Sequence, residues 1–506
     1  MREQLALLPG YLTAHLQLTL FALLAGTAFS IPAGIAIARA RRLERPLLAV
    51  ASVIQTVPSL ALLAVMVPVL SALGFRSIGF LPAFIGLALY SVLPILRNTV
   101  TGLSGIDPAL TEAARGVGMT SRQQLWRVEL PLAMPVILAG LRTSTVWTVG
   151  IATLSTPVGA PSLGNYIFAG LQTRNLGAVL VGCVAAALLA LALDGLVHVL
   201  GGAVLGRKRG ALVGVLAALG ALYAYSAVTF VQGLRGAGPD RIVVGAKTFT
   251  EQYILSRILA DQVERSTGSS VDVVSSLGST VVFDALRAGE IDAYVDYSGT
   301  IWATIMRRDS TSVNRDTVLA EVRRFLKDEH GIEMVGALGF ENAYALAMRR
   351  GQAADLGVRT IGDLAPFTSR LAIGGDYEFF DRPEWKALRG AYGLEFRERR
   401  SMDPSLMYQA AANSQVDVIS AFSTDGRIAA LDLVVLEDDR QAIPPYDAVI
   451  VAGPRLVRER PDVIAALRAL TGRIDADRMR GMNRAVDQDG ADPAAVAAEF
   501  LASRGP

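Results

Sequence analysis

Four aromatic residues stand at the ends of apolar runs of β type: Tyr297 after one in VDYSGT, Tyr344 in ENAYALAM, Phe422 ending one in ISAFSTDGR and Tyr446 in IPPYDAV. Strand ends and the loops after them are where α/β sheets bind ligands. Taken singly, each ring also fits a place in a hydrophobic core. Converging as a set, they would present several electron-rich faces and no nucleophile. The chemistry of such a box is capture of a quaternary ammonium by cation–π attraction, worth roughly 0.5–2 kcal/mol per contact.

Covalent chemistry has no comparable support. The histidines (15, 198 and 330) are scattered, so neither a metal constellation nor a Ser–His–Asp arrangement can be drawn. The single cysteine, Cys183, lies in an apolar run and permits no intrachain disulfide. GAKT at 245–248 falls short of a phosphate-binding loop, because GxxxxGK[ST] occurs nowhere in the chain. A periplasmic enzyme is therefore the weakest reading. No cofactor is expected on this chain, which cannot supply an ATPase of its own. The formal net charge of +2 gives no bulk attraction for nucleic acid.

The elements needed to position the rings alternate between β and α patterns. RIVVGAKTF reads as a strand and TEQYILSRILADQVERS as a helix with Thr250 near its cap. VDVVSSL, STVVFDALRAGE and IDAYVDYSG repeat strand, helix, strand, and IEMVGAL, RLAIGGD and VDVISAF continue the alternation. This pattern predicts α/β lobes with largely parallel sheets over residues 241–506. That length suits two lobes better than one.

The preceding half prefers lipid. Only six of the 46 acidic residues lie before Asp240: Glu3, Glu44, Asp107, Glu112, Glu129 and Asp194. A mean hydropathy of +0.40 is high for a soluble chain, yet 19% charged residues is too many for an all-membrane one. A two-part chain resolves the tension, with 1–231 in the membrane, a Gly-rich tether over 232–240 and the water-soluble part after it. The N-terminus lacks the basic start of a cleavable signal. Six apolar segments, at about 12–38, 46–73, 78–96, 132–155, 177–205 and 211–231, approach or exceed the ~20 residues a spanning helix needs. Basic residues gather after the first (Arg39, Arg41, Arg42, Arg45), between the third and fourth (Arg97, Arg115, Arg122, Arg127) and between the fifth and sixth (Arg207, Lys208, Arg209). Positive-inside bias places those loops in the cytoplasm, and the N-terminus and soluble half outside. Asp194 and His198 are expected to snorkel from the fifth segment. Arg142 in the fourth either faces a pore or packs against a helix end.

The loop over 107–131 is built to be a lever. Asp107-Pro108 is an N-cap followed by proline at N1. The helix it opens carries Glu112, Ala113 and Ala114 and stops near Gly116/Gly118. Thr120 or Ser121 can cap a second short helix running to Leu130-Pro131.

These residues carry a family resemblance. Glu112-Ala113-Ala114, Gly118, then Val128, Leu130 and Pro131 resemble the EAA loop of ABC-importer permeases at its full spacing, with Val128 where Ile is usual. VGAPSLGNYIFAGL (158–171) resembles the glycine betaine/choline branch. Residues 241–506 resemble the substrate-binding protein of that branch through VGAKTFTEQ, LGSTVVFDALRAGEIDAYVDYSGT, GFENAYALAM, AFSTDGRI, LEDDRQAIPPYDA and GADPAAVAAEFL. The resemblance implies an all-α permease of six spans, of the type I ABC-importer kind, followed by a two-lobe α/β periplasmic-binding-protein (type 2) domain. It implies an aromatic cage of Tyr297, Tyr344, Phe422 and Tyr446, with Phe422 where Tyr is common. It places Gln252, Ser279, Thr280 and Arg427 at polar contact positions, with Arg427 as a bidentate clamp on a ligand carboxylate and Asp425 pairing with Arg427 or stabilising the cation. It implies as partners two copies of a cytoplasmic ABC ATPase subunit, which would hold the ATP and Mg²⁺, docking on the loop, a homodimer of this chain in the bacterial cell membrane, and a small quaternary-ammonium solute. Glycine betaine, choline, carnitine and ergothioneine are the candidates. A membrane-anchored sensor is the alternative, but only short loops face the cytoplasm. An exporter fits poorly with a tethered external receptor.

Overall fold

The computed structural model describes residues 2–173, 175–236, 241–308 and 314–503. The chain divides into two units, Met1–Phe168 with Gly177–Pro239, and Ala169–Leu176 with Asp240–Pro506.

The first unit is helical: α1 (Arg2–Arg39), α2 (Arg41–Thr56), α3 (Ser59–Ala72), α4 (Phe80–Ser104), α5 (Pro108–Gly116), α6 (Ser121–Gln124), α7 (Leu130–Ala152), α8 (Gly164–Gln172), α9 (Leu176–Leu205) and α10 (Arg209–Gly236). Helices α1, α4 and α7 pack on one another. Small residues allow the close approach: a Cβ at Gly26 would lie 1.8 Å from Ser91 Oγ, and one at Gly34 2.6 Å from Thr99 Cγ2. Five helices among the described residues are long and apolar enough to cross a membrane, or six if one bent pair counts as a single span.

That bent pair corrects the second expected segment. The apolar run over 46–73 is not one rod: it breaks at Val57-Pro58, and the flanking helices diverge by 99°. Val57 is extended (φ −68°, ψ 128°), as the residue before a proline prefers. The expected tether is also shorter. Helix α10 runs through 232–236, since Gln232, Leu234 and Arg235 are good helix formers, and 237–240 lie outside the described residues. In the membrane half Arg142 packs against α9. Its guanidinium donates twice to Asp194, Nε to Oδ1 and Nη2 to Oδ2, both at 2.8 Å. Asp194 is thus an ion-pair partner of Arg142.

The second unit holds two five-stranded sheets. The strands are β1 (Ile242–Lys247), β2 (Val271–Leu277), β3 (Ala293–Tyr297), β4 (Glu333–Glu341), β5 (Tyr344–Arg349), β6 (Ala372–Gly375), β7 (Glu398–Ser401), β8 (Val418–Phe422), β9 (Leu433–Val435) and β10 (Asp447–Ala452). The sheet orders are β2-β1-β3-β10-β4 and β7-β6-β8-β5-β9. Helix α11 (Thr250–Thr267) buries Ile254, Leu255, Ile258, Leu259 and Val263 in the core that also takes Ile242 and Val244 of β1. Its N-cap is Phe249, with Thr250 next to it as the first helical residue.

The sheets are mixed, not largely parallel. β10 runs antiparallel to β3 and β4, and β5 antiparallel to β8 and β9. The reason is the chain path. It leaves the first lobe after β4 and enters the second as β5 across Asn342-Ala343, then returns after β9 as β10. A strand entering straight from the other lobe needs no helical crossover, and so is free to run against its neighbours.

Candidate ligand site

The two crossings assemble the rings. Tyr297 closes β3, Tyr344 opens β5, Phe422 closes β8 and Tyr446 sits one residue before β10. Tyr344 pairs directly with Phe422 across β5 and β8. Asn342, on the first crossing, donates its backbone N–H to the Tyr446 carbonyl at 2.9 Å. The structure therefore brings these four positions together from four strand ends. The Tyr344 centroid lies 5.0 Å from Phe422 and 6.2 Å, edge-on, from Tyr446. A fifth ring, absent from the sequence reading, links the lobes: Phe249 lies 6.1 Å from Tyr297 and 6.2 Å from Phe422, parallel to the latter within 5°. Its signal was its place in GAKTFTEQ, between the first strand and helix.

The phenols are turned to buried carboxyls. Tyr297 donates its hydroxyl to Glu251 Oε1 at 2.5 Å, and Tyr446 donates to Glu384 Oε1. Burial, then the neighbouring Glu251 and Glu384 charges, push these two phenols well above the ordinary tyrosine range. Burial alone is the main cause for Tyr344. All three are thus neutral rings. Glu384 is matched by Arg382, which donates Nε to Oε2 at 3.1 Å and Nη2 to Oε1 at 3.0 Å, and lies 5.0 Å over the Tyr344 ring. Lys247 pairs with Asp296 and lies 5.5 Å from the Tyr297 centroid. Sequence reading missed Glu251, Arg382, Glu384 and the role of Lys247, because a buried charge is recognised by its partners, which are distant in sequence.

The polar candidates divide. Gln252 sits behind Tyr297, and its side chain is engaged at both ends: Nε2 donates to the Val295 carbonyl (3.0 Å) and the Tyr297 hydroxyl (3.1 Å), while Oε1 accepts from Lys247 N (3.3 Å). Ser279 and Thr280 open the helix α12 (Ser279–Arg287), half-buried and exposed respectively. Asp425 and Arg427 serve each other. Arg427 donates Nη2 to Oδ2 at 2.5 Å and Nε to Oδ1 at 2.9 Å, gives Nη1 to the Pro404 carbonyl, and stacks 4.1 Å over Tyr408. Of the two roles expected for Asp425, these contacts show the pairing with Arg427. A buried guanidinium takes the nearest carboxylate, and here that carboxylate belongs to the same turn.

In the first unit the lever residues take the expected local forms. Asp107 accepts from Ala109 N at 2.9 Å. Thr120 and Gln123 complete a reciprocal capping box. Gly118 adopts φ +79°, the left-handed turn between α5 and α6. Glu112, Ala113, Gly118 and Pro131 are exposed, Val128 is half-buried, and Ala114 and Leu130 are buried. The second helix differs from expectation: it does not end at Pro131 but passes through five π-helical residues, Leu125–Glu129, into α7. Val117 and Trp126 leave large apolar surfaces uncovered on this loop.

Residues 240–503 match the family described as substrate binding domain of ABC-type glycine betaine transport system. Residues 30–206 match the binding-protein-dependent transport system inner membrane component. The chain is 32% identical over 470 residues to the ergothioneine transport permease/ergothioneine binding protein EgtU of Helicobacter pylori, covering 90% of this chain and 83% of that one. The carnitine transport binding protein OpuCC of Listeria monocytogenes is 32% identical over 273 residues, 53% of this chain and 88% of that one. The choline transport system permease protein OpuBB of Bacillus subtilis is 41% identical over 180 residues, 36% of this chain and 80% of that one. Transport, rather than membrane-anchored sensing, is the activity of these relatives. The chain belongs to the binding-protein-dependent ABC importers, with a permease and a substrate-binding domain of the glycine betaine type joined in one polypeptide.

Proposed function

We propose that this chain captures a trimethylammonium solute outside the cell and conducts it inward, with ATP hydrolysed by a separate cytoplasmic subunit. The observation that carries the reading is the convergence of Tyr297, Tyr344, Phe422 and Tyr446 from four strand ends. Neutral rings packed against buried carboxyls suit a bulky cation that offers no hydrogen-bond donor. Both lobes contribute rings, so closure about the two crossings completes the cage. Ergothioneine, glycine betaine, choline and carnitine share the required head group. Ser279 and Thr280, with Gln252 behind Tyr297, are the side chains assigned to the remainder of the solute.

Residues 1–231 form the permease and 241–506 the receptor, which the short connection between them keeps at high effective concentration. The basic loops keep the lever inside and the receptor outside. Two copies of the chain line one pathway, and two ATPase subunits dock on Glu112, Ala113 and the exposed apolar Val117 and Trp126. The test is calorimetric titration of the full chain in lipid nanodiscs with the four solutes. Saturable binding of at least one, abolished by Tyr297→Ala, is the expected result. A folded chain that binds none refutes the cage.

A further inference from the structure

We infer that Glu251 is a positioning residue that charges the cage: its carboxylate fixes the Tyr297 ring, enriches it in electrons and ties it to the second lobe. The inference rests on the reading of the four rings as a cation cage.

Glu251 is 2% exposed, in the first turn of α11. Four groups donate to it from four parts of the second unit. Tyr297 of β3 gives its hydroxyl to Oε1 at 2.5 Å, and Asn342 of the first crossing gives Nδ2 to Oε1 at 3.0 Å. Thr424, two residues beyond Phe422, gives its hydroxyl to Oε2 at 2.6 Å, and Asn483 of the helix Ala476–Asp487 gives Nδ2 to Oε2 at 3.2 Å. Burial raises the Glu251 pKa and the four hydrogen bonds oppose that rise; four donors and no acceptor are the arrangement that receives the charged form. The amides make a concession for this. Asn342 Oδ1 and Asn483 Oδ1 are buried without a partner, so these side chains are oriented for Glu251 at the expense of their own oxygens.

The charge balance distinguishes Glu251 from its counterpart. Two carboxylates take cage hydroxyls. Glu384, which takes that of Tyr446, is neutralised by Arg382. Glu251 is held by neutral donors, and among the described residues no Lys or Arg forms an ion pair with it. When ionised, Glu251 puts an unmatched negative charge at the hydroxyl edge of the Tyr297 ring, where a ligand cation would complete it. A phenol donating to a carboxylate shifts electron density toward its oxygen and ring, which deepens the negative face that attracts a cation. The Thr424 bond links this effect to closure, because Thr424 belongs to the lobe that supplies Phe422.

The test uses the full chain in nanodiscs and two probes of equal shape, tetramethylammonium and neutral tert-butanol, with dissociation constants read by ligand-observed NMR. The wild type is expected to prefer the cation. Glu251→Gln is expected to cut that preference about fivefold or more while leaving tert-butanol binding near its original value. Tyr297→Phe, which keeps the ring and loses only the donor, is expected to cut it similarly, and it serves if the glutamine variant does not fold. Retention of the full cation preference by either folded variant, or equal weakening of both probes, would overturn the role of Glu251. A wild type with no preference for the cation sinks the cage reading itself.

Discussion

Replacing Phe422 by leucine isolates the contribution of one ring face. The backbone around it does not depend on that ring: β8 stays paired with β5 opposite Tyr344, and the Phe422 N–H donates to the Tyr408 hydroxyl at 3.0 Å. Leucine keeps an apolar side chain at a half-buried position. What is lost is an aromatic face 5.0 Å from Tyr344 and parallel to Phe249 at 6.2 Å. One cation–π contact is worth about 0.5–2 kcal/mol, which converts to a roughly two- to thirtyfold rise in Kd. Phe422→Tyr keeps the face, and its Kd should stay within about twofold of the wild type. Both variants would be titrated calorimetrically in nanodiscs against whichever solute the wild type binds, with the melting temperature of the unliganded protein as a control on folding. An unchanged Kd in a folded Phe422→Leu protein would refute the placement of this ring in the cage.

Arg427→Met strands Asp425 beside Tyr408 and should cost about 3–5 kcal/mol of stability, seen as a lower urea midpoint, with affinity in the surviving fold little changed; lost affinity at full stability would support the clamp reading. In the membrane half, Arg142→Leu or Asp194→Leu alone leaves one charge unpaired among apolar helices, so the yield of folded protein should fall, and the double replacement should recover it in detergent size-exclusion profiles. His330 packs edge-on between Phe283 (5.4 Å) and Phe325 (5.0 Å), and burial, with the Arg287 charge, lowers its pKa below the usual 6.5. The unfolded chain then takes up the proton first, so stability is lost as pH falls from that value toward the folded pKa. His330→Phe should flatten this dependence in denaturant midpoints measured across the window.

Local chemistry was legible from the residues alone. Asp107 and Thr120 cap their helices because a cap bond closes over two or three positions, and both partners are visible in a short window. Charge depletion marked the membrane half, and the strand-end rings could be named before their meeting was known. The break at Val57-Pro58 escaped a hydropathy reading, which measures apolar length and not the backbone. Tertiary structure alone decided the reversed directions of β5 and β10, since these follow from two lobe crossings rather than from any strand's own sequence. It alone set Phe249 against Phe422. Glu251 is the clearest case: its donors lie 46 to 232 positions away along the chain. A buried carboxylate must find its hydrogen bonds wherever the folded chain places them, and no spacing rule connects residues so far apart.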